Sequence, residues 1–181
     1  IGVGDYLTQL LEENYGVAVY HDTTAYDMTG GELDRSAAYD YAREGVQKIL
    51  TEYPSIDVVI DIHRDGVAED TYLITEIGEK KTAQVMFLNG VSRLNKNGDI
   101  SYLANPYKTE NLAFSLQMYL KAQANYESFV RKIFVKGYRY NLDLKPRSLL
   151  VEVGSQTNTV EEAKNAMEPL SAILYKVLSG M

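Results

Sequence analysis

Cysteine is absent from the 181 residues and histidine occurs only twice. The missing cysteine excludes disulfides, thiolate zinc sites and a thiol nucleophile together. Any metal must therefore be held by His, Asp or Glu. Basic residues are in the minority, 18 against 25 Asp and Glu, for a formal charge of −7. No basic stripe runs along the chain, which argues against nucleic-acid binding. The 15 tyrosines lack the interleaved cations of a single-strand-binding surface and read as core and rim packing. No run approaches the ~18 apolar residues of a membrane span, and no signal-peptide pattern is present. A Gly-x-Ser-x-Gly elbow, a Gly-rich phosphate loop and a His-Glu-x-x-His helix are all missing. What remains is a chain of ordinary hydrophobic content, 45%, long enough for one domain with a proper core. It opens on Ile1-Gly2-Val3-Gly4 in mid-pattern, so the expectation is one domain over residues 1–181 with something upstream removed.

Apolar periodicity organises that domain. Val3, Tyr6, Leu7, Leu10, Leu11 and Tyr15 recur at helical spacing before Gly16, and Val17–Tyr20 reads as a short strand. The Gly30-Gly31 pair marks a loop. A second amphipathic helix carries Ala37, Ala38, Tyr41, Val46, Ile49 and Leu50. The nearly continuous apolar run Ile56 to Ile62 then predicts a strand covered on both faces. Residues 71–77 and 83–88 flank Gly78-Glu79-Lys80-Lys81, a hairpin signal, and 89–109 read as loop. A long helix is expected from Glu110 to about Phe134, then a strand from Ser148 to Val153. Thr159 with Glu162 forms a capping box for the last helix, which Pro169 should kink or split. Helix and strand alternate as in an α/β fold: a single three-layer domain, a mostly parallel sheet with helices on both faces and a β-hairpin insertion.

Two polar side chains interrupt apolar strands. His63 ends Val58-Val59-Ile60-Asp61-Ile62, and Glu152 lies inside Leu149-Leu150-Val151-Glu152-Val153. Burying either without a partner costs several kcal/mol, on the order of 2–7. At a strand's carboxyl end a neutral imidazole is a good metal ligand, its tautomer fixed by a nearby carboxylate; a core-edge histidine bonded to backbone is the alternative. Glu152, its pKa raised by desolvation, suits a general base; the alternative is a buried ion pair with Arg64, Arg139 or Arg147. Arg147 could clamp a substrate carboxylate or face water. His21 follows a strand and reads as an exposed loop histidine.

The run Val58 to Asp65, followed far downstream by Leu149 to Gly154, resembles the stage II sporulation protein P family of zinc-dependent N-acetylmuramoyl-L-alanine amidases, the amidase 3 group. Ala83–Phe87, Glu110-Asn111-Leu112, Arg139-Tyr140-Asn141 with Asp143-Leu144, and Pro146–Leu150 match in the same order. The resemblance implies a hydrolase that cuts the amide between N-acetylmuramic acid and the stem peptide of peptidoglycan, with possible endopeptidase action on cross-links. It implies one zinc ion, with His63 as a ligand, Glu152 as the catalytic base and substrate contacts around Asn141; Arg64 and Arg147 complete the expected substrate-binding residues. It further implies a membrane-anchored, extracytoplasmic enzyme of septal thinning and engulfment, partnered by stage II sporulation protein D, which hydrolyses glycan strands. The family's other metal ligands, a His-Thr-His motif and a following glutamate, precede the helix over residues 3–15. The chain is therefore expected to lack them and the first strand of the sheet, and to be metal-free or poorly metallated and inactive as it stands. A silent wall-binding or scaffold module of the same fold is the alternative. An unrelated α/β domain with a salt-bridged Glu152 is a third reading.

Overall fold

The structure, a computed structural model, describes residues 2–29, 31–34 and 37–181. Ile1 and Gly30, which entered the expectations above, lie outside them. In chain order the first elements are α1 (Gly2–Tyr15), the short strands β1 (Met28–Thr29) and β2 (Glu32–Leu33), and α2 (Ala38–Glu52). Next come β3 (Val59–Asp65), the hairpin of β4 (Ile74–Ile77) and β5 (Lys80–Ala83), and β6 (Val85–Gly90). A second small hairpin, β7 (Arg93–Leu94) with β8 (Gly98–Asp99), leads through a 3-10 turn at Ser101–Leu103 to α3 (Lys108–Asn125). The chain closes with β9 (Val130–Lys136), β10 (Ser148–Ser155), α4 (Val160–Asn165) and α5 (Met167–Leu178).

The central sheet has the order β3-β10-β6-β9. β3 pairs with β10 and β6 with β9 in parallel, and the two pairs meet antiparallel at β10 and β6, so two of three pairings are parallel. One sheet face carries the core. Phe87, Leu149, Val151 and Val153 pack there with Leu7 and Leu11 of α1, Phe114 and Met118 of α3, and Leu170, Ile173 and Leu174 of α5. Each such fully buried side chain contributes about 1.5–3 kcal/mol. The other face carries a small cluster of Leu88, Leu142 and Leu150, with Tyr140 against it. α2 reaches this side through Tyr39 and Arg43 and buries no residue.

Several expectations are corrected. The helix placed over Glu110 to Phe134 ends at Asn125, and Val130–Lys136 is a strand. Its β-branched and aromatic residues, Val130, Ile133, Phe134 and Val135, suit a pleated surface, and Ser128 takes a positive φ of 63° at the break. The second hairpin arm divides: Lys80–Ala83 pairs back on β4 across Gly78-Glu79, both with positive φ, while Val85–Gly90 enters the central sheet. Residues 93–103 hold a small hairpin and a 3-10 turn where loop was expected. The Thr159–Glu162 capping box forms, and the last helix divides at Ala166, leaving Pro169 in the first turn of α5, where a missing N–H costs little.

Two further differences belong together. Val17–Tyr20 forms no strand, and β3, read as covered on both faces, is an edge strand with no fully buried residue. Between them lies a cavity of about 960 Å³, lined by Val3, Leu7, Leu11, Val17, Val19 and Ile60 among others. The apolar run that predicts a covered strand thus borders an unfilled slot.

Candidate functional site

Parallel pairing sets the site. Residue 152 of β10 lies beside residue 63 of β3 in register, and Leu150 lies beside Asp61. Because side chains alternate along a strand, Asp61, His63, Leu150 and Glu152 share the face opposite the core, while Ile60, Ile62, Val151 and Val153 point into it. Positions eighty-nine apart in the chain, the interval from 63 to 152, therefore converge on one surface. Just past Glu152 the register shifts, and Gly154 adopts φ 58° against Asn158 and Ala83. That bulge ends pairing and opens the sheet rim beside the carboxylate.

His63 Nε2 lies 2.9 Å from Asp61 Oδ2. The Asp61 carboxylate raises the imidazole pKa, outweighing the burial that opposes it, and the Glu152 charge adds to the rise. Glu152 is also raised, first by burial and further by Asp65 and Asp61, with His63 and Arg131 opposing. Its Oε2 is buried and has no hydrogen-bond partner. An orphaned carboxylate oxygen beside a histidine is the arrangement a base needs when its partner arrives with the substrate. Arg131 of β9 reaches the same rim: its Nη2 bonds Asp65 Oδ2 at 2.6 Å, and its buried Nε is also unpartnered.

A tightly held turn forms the other flank. Tyr140 and Asn141 both adopt left-handed backbone, φ 52° and 54°. Asp143 takes two bonds of 2.8 Å from Arg43 and one of 3.2 Å from Arg139. The Asn141 amide donates to Tyr39 O, and Asn111 of α3 donates to Leu142 O while accepting from Ser148 N. At Gly90 a Cβ would stand 2.5 Å from the carbonyl oxygens of Tyr138 and Arg139, so only glycine allows this approach. The Tyr39 ring lies parallel to the His63 ring at 6.3 Å, and Tyr140 meets Tyr39 edge-on at 5.5 Å.

Among the residues singled out from sequence, His63 and Glu152 come together, and Asn141 sits at the rim through Tyr39. Arg64 does not join them: it points to the core side of β3 and donates to Asn158 O at 2.6 Å. Arg147 lies at the far end of β10, paired with Asp57, five residues or about 16 Å from Glu152 along the strand. The ion-pair alternative for Glu152 fails as well, because Arg64, Arg139 and Arg147 all bond elsewhere. His21 is half-buried rather than exposed, bonded to Asp5 at 3.1 Å and packed on Gly4. Sequence reasoning missed Asp61 and Asp65, whose period-2 spacing from His63 was available, and Arg131, hidden by the helix assignment. Tyr39 had no local signal.

A catalytic zinc needs three protein ligands. Among the described residues no group of three or more His, Cys, Asp and Glu is placed to hold an ion, and His63 supplies one imidazole with Nε2 already bonded to Asp61. These residues alone do not fit a zinc site.

The family model described as Stage II sporulation protein P matches residues 1–175. Stage II sporulation protein P of Bacillus subtilis (strain 168) is 28% identical over 170 residues, 91% of this chain and 39% of that protein. The chain thus spans about two fifths of the length of the curated relative it matches. Among solved structures, the CwlD amidase from Clostridioides difficile in complex with the GerS lipoprotein superposes with a TM-score of 0.60 at 13% identity, covering 99% of this chain and 84% of that one. The N-acetylmuramyl-L-alanine amidase Ami1 from Mycobacterium smegmatis gives 0.53 at 14%, covering 99% and 73%. At these identities the two structures establish a shared α/β fold.

Proposed function

The chain belongs to the stage II sporulation protein P family, and from that premise we propose that it is the wall-hydrolase portion of a longer sporulation protein. Its substrate in this reading is peptidoglycan, cut at the amide between N-acetylmuramic acid and L-alanine. The observation that carries it is the meeting of Glu152, with its unpartnered buried oxygen, and His63 on one open sheet face. The amidase structures that share the fold point the same way.

Glu152 removes a proton from water as the oxygen attacks the lactyl carbonyl carbon. The C–N bond breaks, and the same carboxyl returns the proton to the departing amine, giving a lactyl carboxylate and a free L-alanine amine. A carboxyl held above its usual pKa is better matched to both transfers. His63 is proposed as one ligand of a zinc ion whose remaining ligands come from polypeptide outside residues 1–181. The cavity beside β3 supports a further strand in the longer protein, seated along that edge. In this proposal the activity serves septal thinning and engulfment, outside the cytoplasmic membrane on an anchored protein and alongside the glycan hydrolase stage II sporulation protein D; membership of a sporulation family supports that setting. Endopeptidase action on cross-links is part of the same proposal.

The test is product chemistry. Purified sacculi digested with the full-length protein should release peptides with a new L-alanine amine, read by mass spectrometry, and leave muramic acid with a free lactyl carboxyl. Binding to sacculi without release of peptides would favour the silent wall-binding module.

A further inference from the structure

We propose that Tyr138, Tyr140 and Tyr39 form a subsite for the sugar side of the substrate, a stacked flank that holds a pyranose ring beside His63 and Glu152. It rests on the peptidoglycan reading above and adds which side of the scissile bond each wall of the site receives. The three rings form a continuous ladder. Tyr138 meets Tyr140 at 6.0 Å and 81°, Tyr140 meets Tyr39 at 5.5 Å and 72°, and Tyr39 lies parallel to His63 at 6.3 Å. It runs from open solvent, where Tyr138 is 66% exposed, to the site itself. Tyr140 is seated on Leu88, Leu142 and Leu150, on the sheet face that carries Glu152.

The backbone beneath the ladder is held in a costly shape. Two consecutive non-glycine residues in left-handed conformation, Tyr140 and Asn141, persist only because their surroundings over-determine them. Here that is done by Gly90, Asn111 and the Arg43–Asp143–Arg139 group. Packing explains why Tyr140 is held, but not why Tyr138 leaves an aromatic face in water.

Surface chemistry decides which half of the substrate this flank suits. Arg43 and Arg139 share the single carboxylate of Asp143, which draws both guanidinium groups into the turn although one net positive charge remains there, and the ladder itself presents ring faces and phenolic hydroxyls. A pyranose offers one apolar face of C–H bonds and a rim of hydroxyls, and it stacks on aromatic faces as a base does. The opposite rim is charged instead, with Arg131 bonded to Asp65 beside Glu152, and its polar groups suit the amides of the stem peptide. The scissile amide joins these two halves, and Glu152 lies between the two walls.

The experiment measures binding to the full-length protein by ligand-observed NMR titration. The probes are the peptide-free disaccharide N-acetylglucosaminyl-N-acetylmuramic acid and the free stem tripeptide. Tyr138→Ala should weaken disaccharide binding about tenfold, while Tyr138→Phe, which keeps the ring, stays within about twofold. Tripeptide affinity should be unchanged in both. The proposal is overturned if the wild type shows no disaccharide binding, if the alanine variant binds it as well as wild type, if phenylalanine loses as much as alanine, or if the tripeptide loses as much as the disaccharide. Peptide release from sacculi reads separately: its loss in the wild type sinks the hydrolase reading, whereas unchanged disaccharide binding in Tyr138→Ala sinks the sugar subsite alone.

Discussion

A single carboxylate sets the character of this site. Glu152 is buried deeply enough for desolvation to raise its pKa, and no donor satisfies its inner oxygen. Between the ordinary carboxylate value and the raised one the native state binds more protons than the unfolded chain, so stability falls as pH rises through that window. Gln in its place removes the charge and with it the penalty. Glu152→Gln should therefore raise the Tm at pH 7, by about 2–4 °C for each kcal/mol relieved in a chain of this size. The gain should vanish below about pH 4, where the carboxyl is protonated in both states. Thermal melts across pH check this, and a lower Tm for the variant at pH 7 would mean that the carboxylate is stabilised by a partner. That His63 and Glu152 are anomalies was legible in sequence, because a polar residue inside an apolar strand run has few explanations. The charges that tune them were not. Arg131 acts from two strands beyond β10, and Tyr39 from a helix that buries no residue.

Among the elements, β3 shows both the reach and the failure of pattern reading. Its apolar run was legible as a strand, but the two covered faces that a continuous run implies are not found: no residue of β3 is fully buried, and one of its edges borders the slot beside Val17–Tyr20. The register with β10 depends on long-range pairing that no local pattern encodes. The same holds for Val130–Lys136, whose apolar residues fit a helix extension until β6 supplies a parallel neighbour. Val59 donates its amide to the carbonyl of Arg147, just ahead of β10, so by alternation the amides of Ile60 and Ile62 face the slot. If a strand of the longer protein fills it, these two amides should exchange with solvent on the order of 100-fold more slowly there than in residues 1–181 alone. Hydrogen-exchange NMR or mass spectrometry of the two polypeptides decides it. Equal rates would mean that nothing pairs with this edge.

For the molecule as a whole, the sheet separates labour between its faces. One buries the core against α1, α3, α4 and α5; the other spends little burial on stability and presents His63 and Glu152 between an aromatic turn and a charged rim. The alternation of elements made the α/β class legible, whereas the meeting of the two flanks depends on the Tyr138–Asp143 turn, whose left-handed residues carry no sequence signature. The most direct test of a hydrolytic centre here is the rate of peptide release from purified sacculi by the full-length protein, compared with its Glu152→Gln variant at equal folded concentration. A fall of about 10²–10⁴-fold with the fold intact is the expected result. Release by the variant within a few-fold of the wild-type rate would contradict Glu152 as the base and the site built around it.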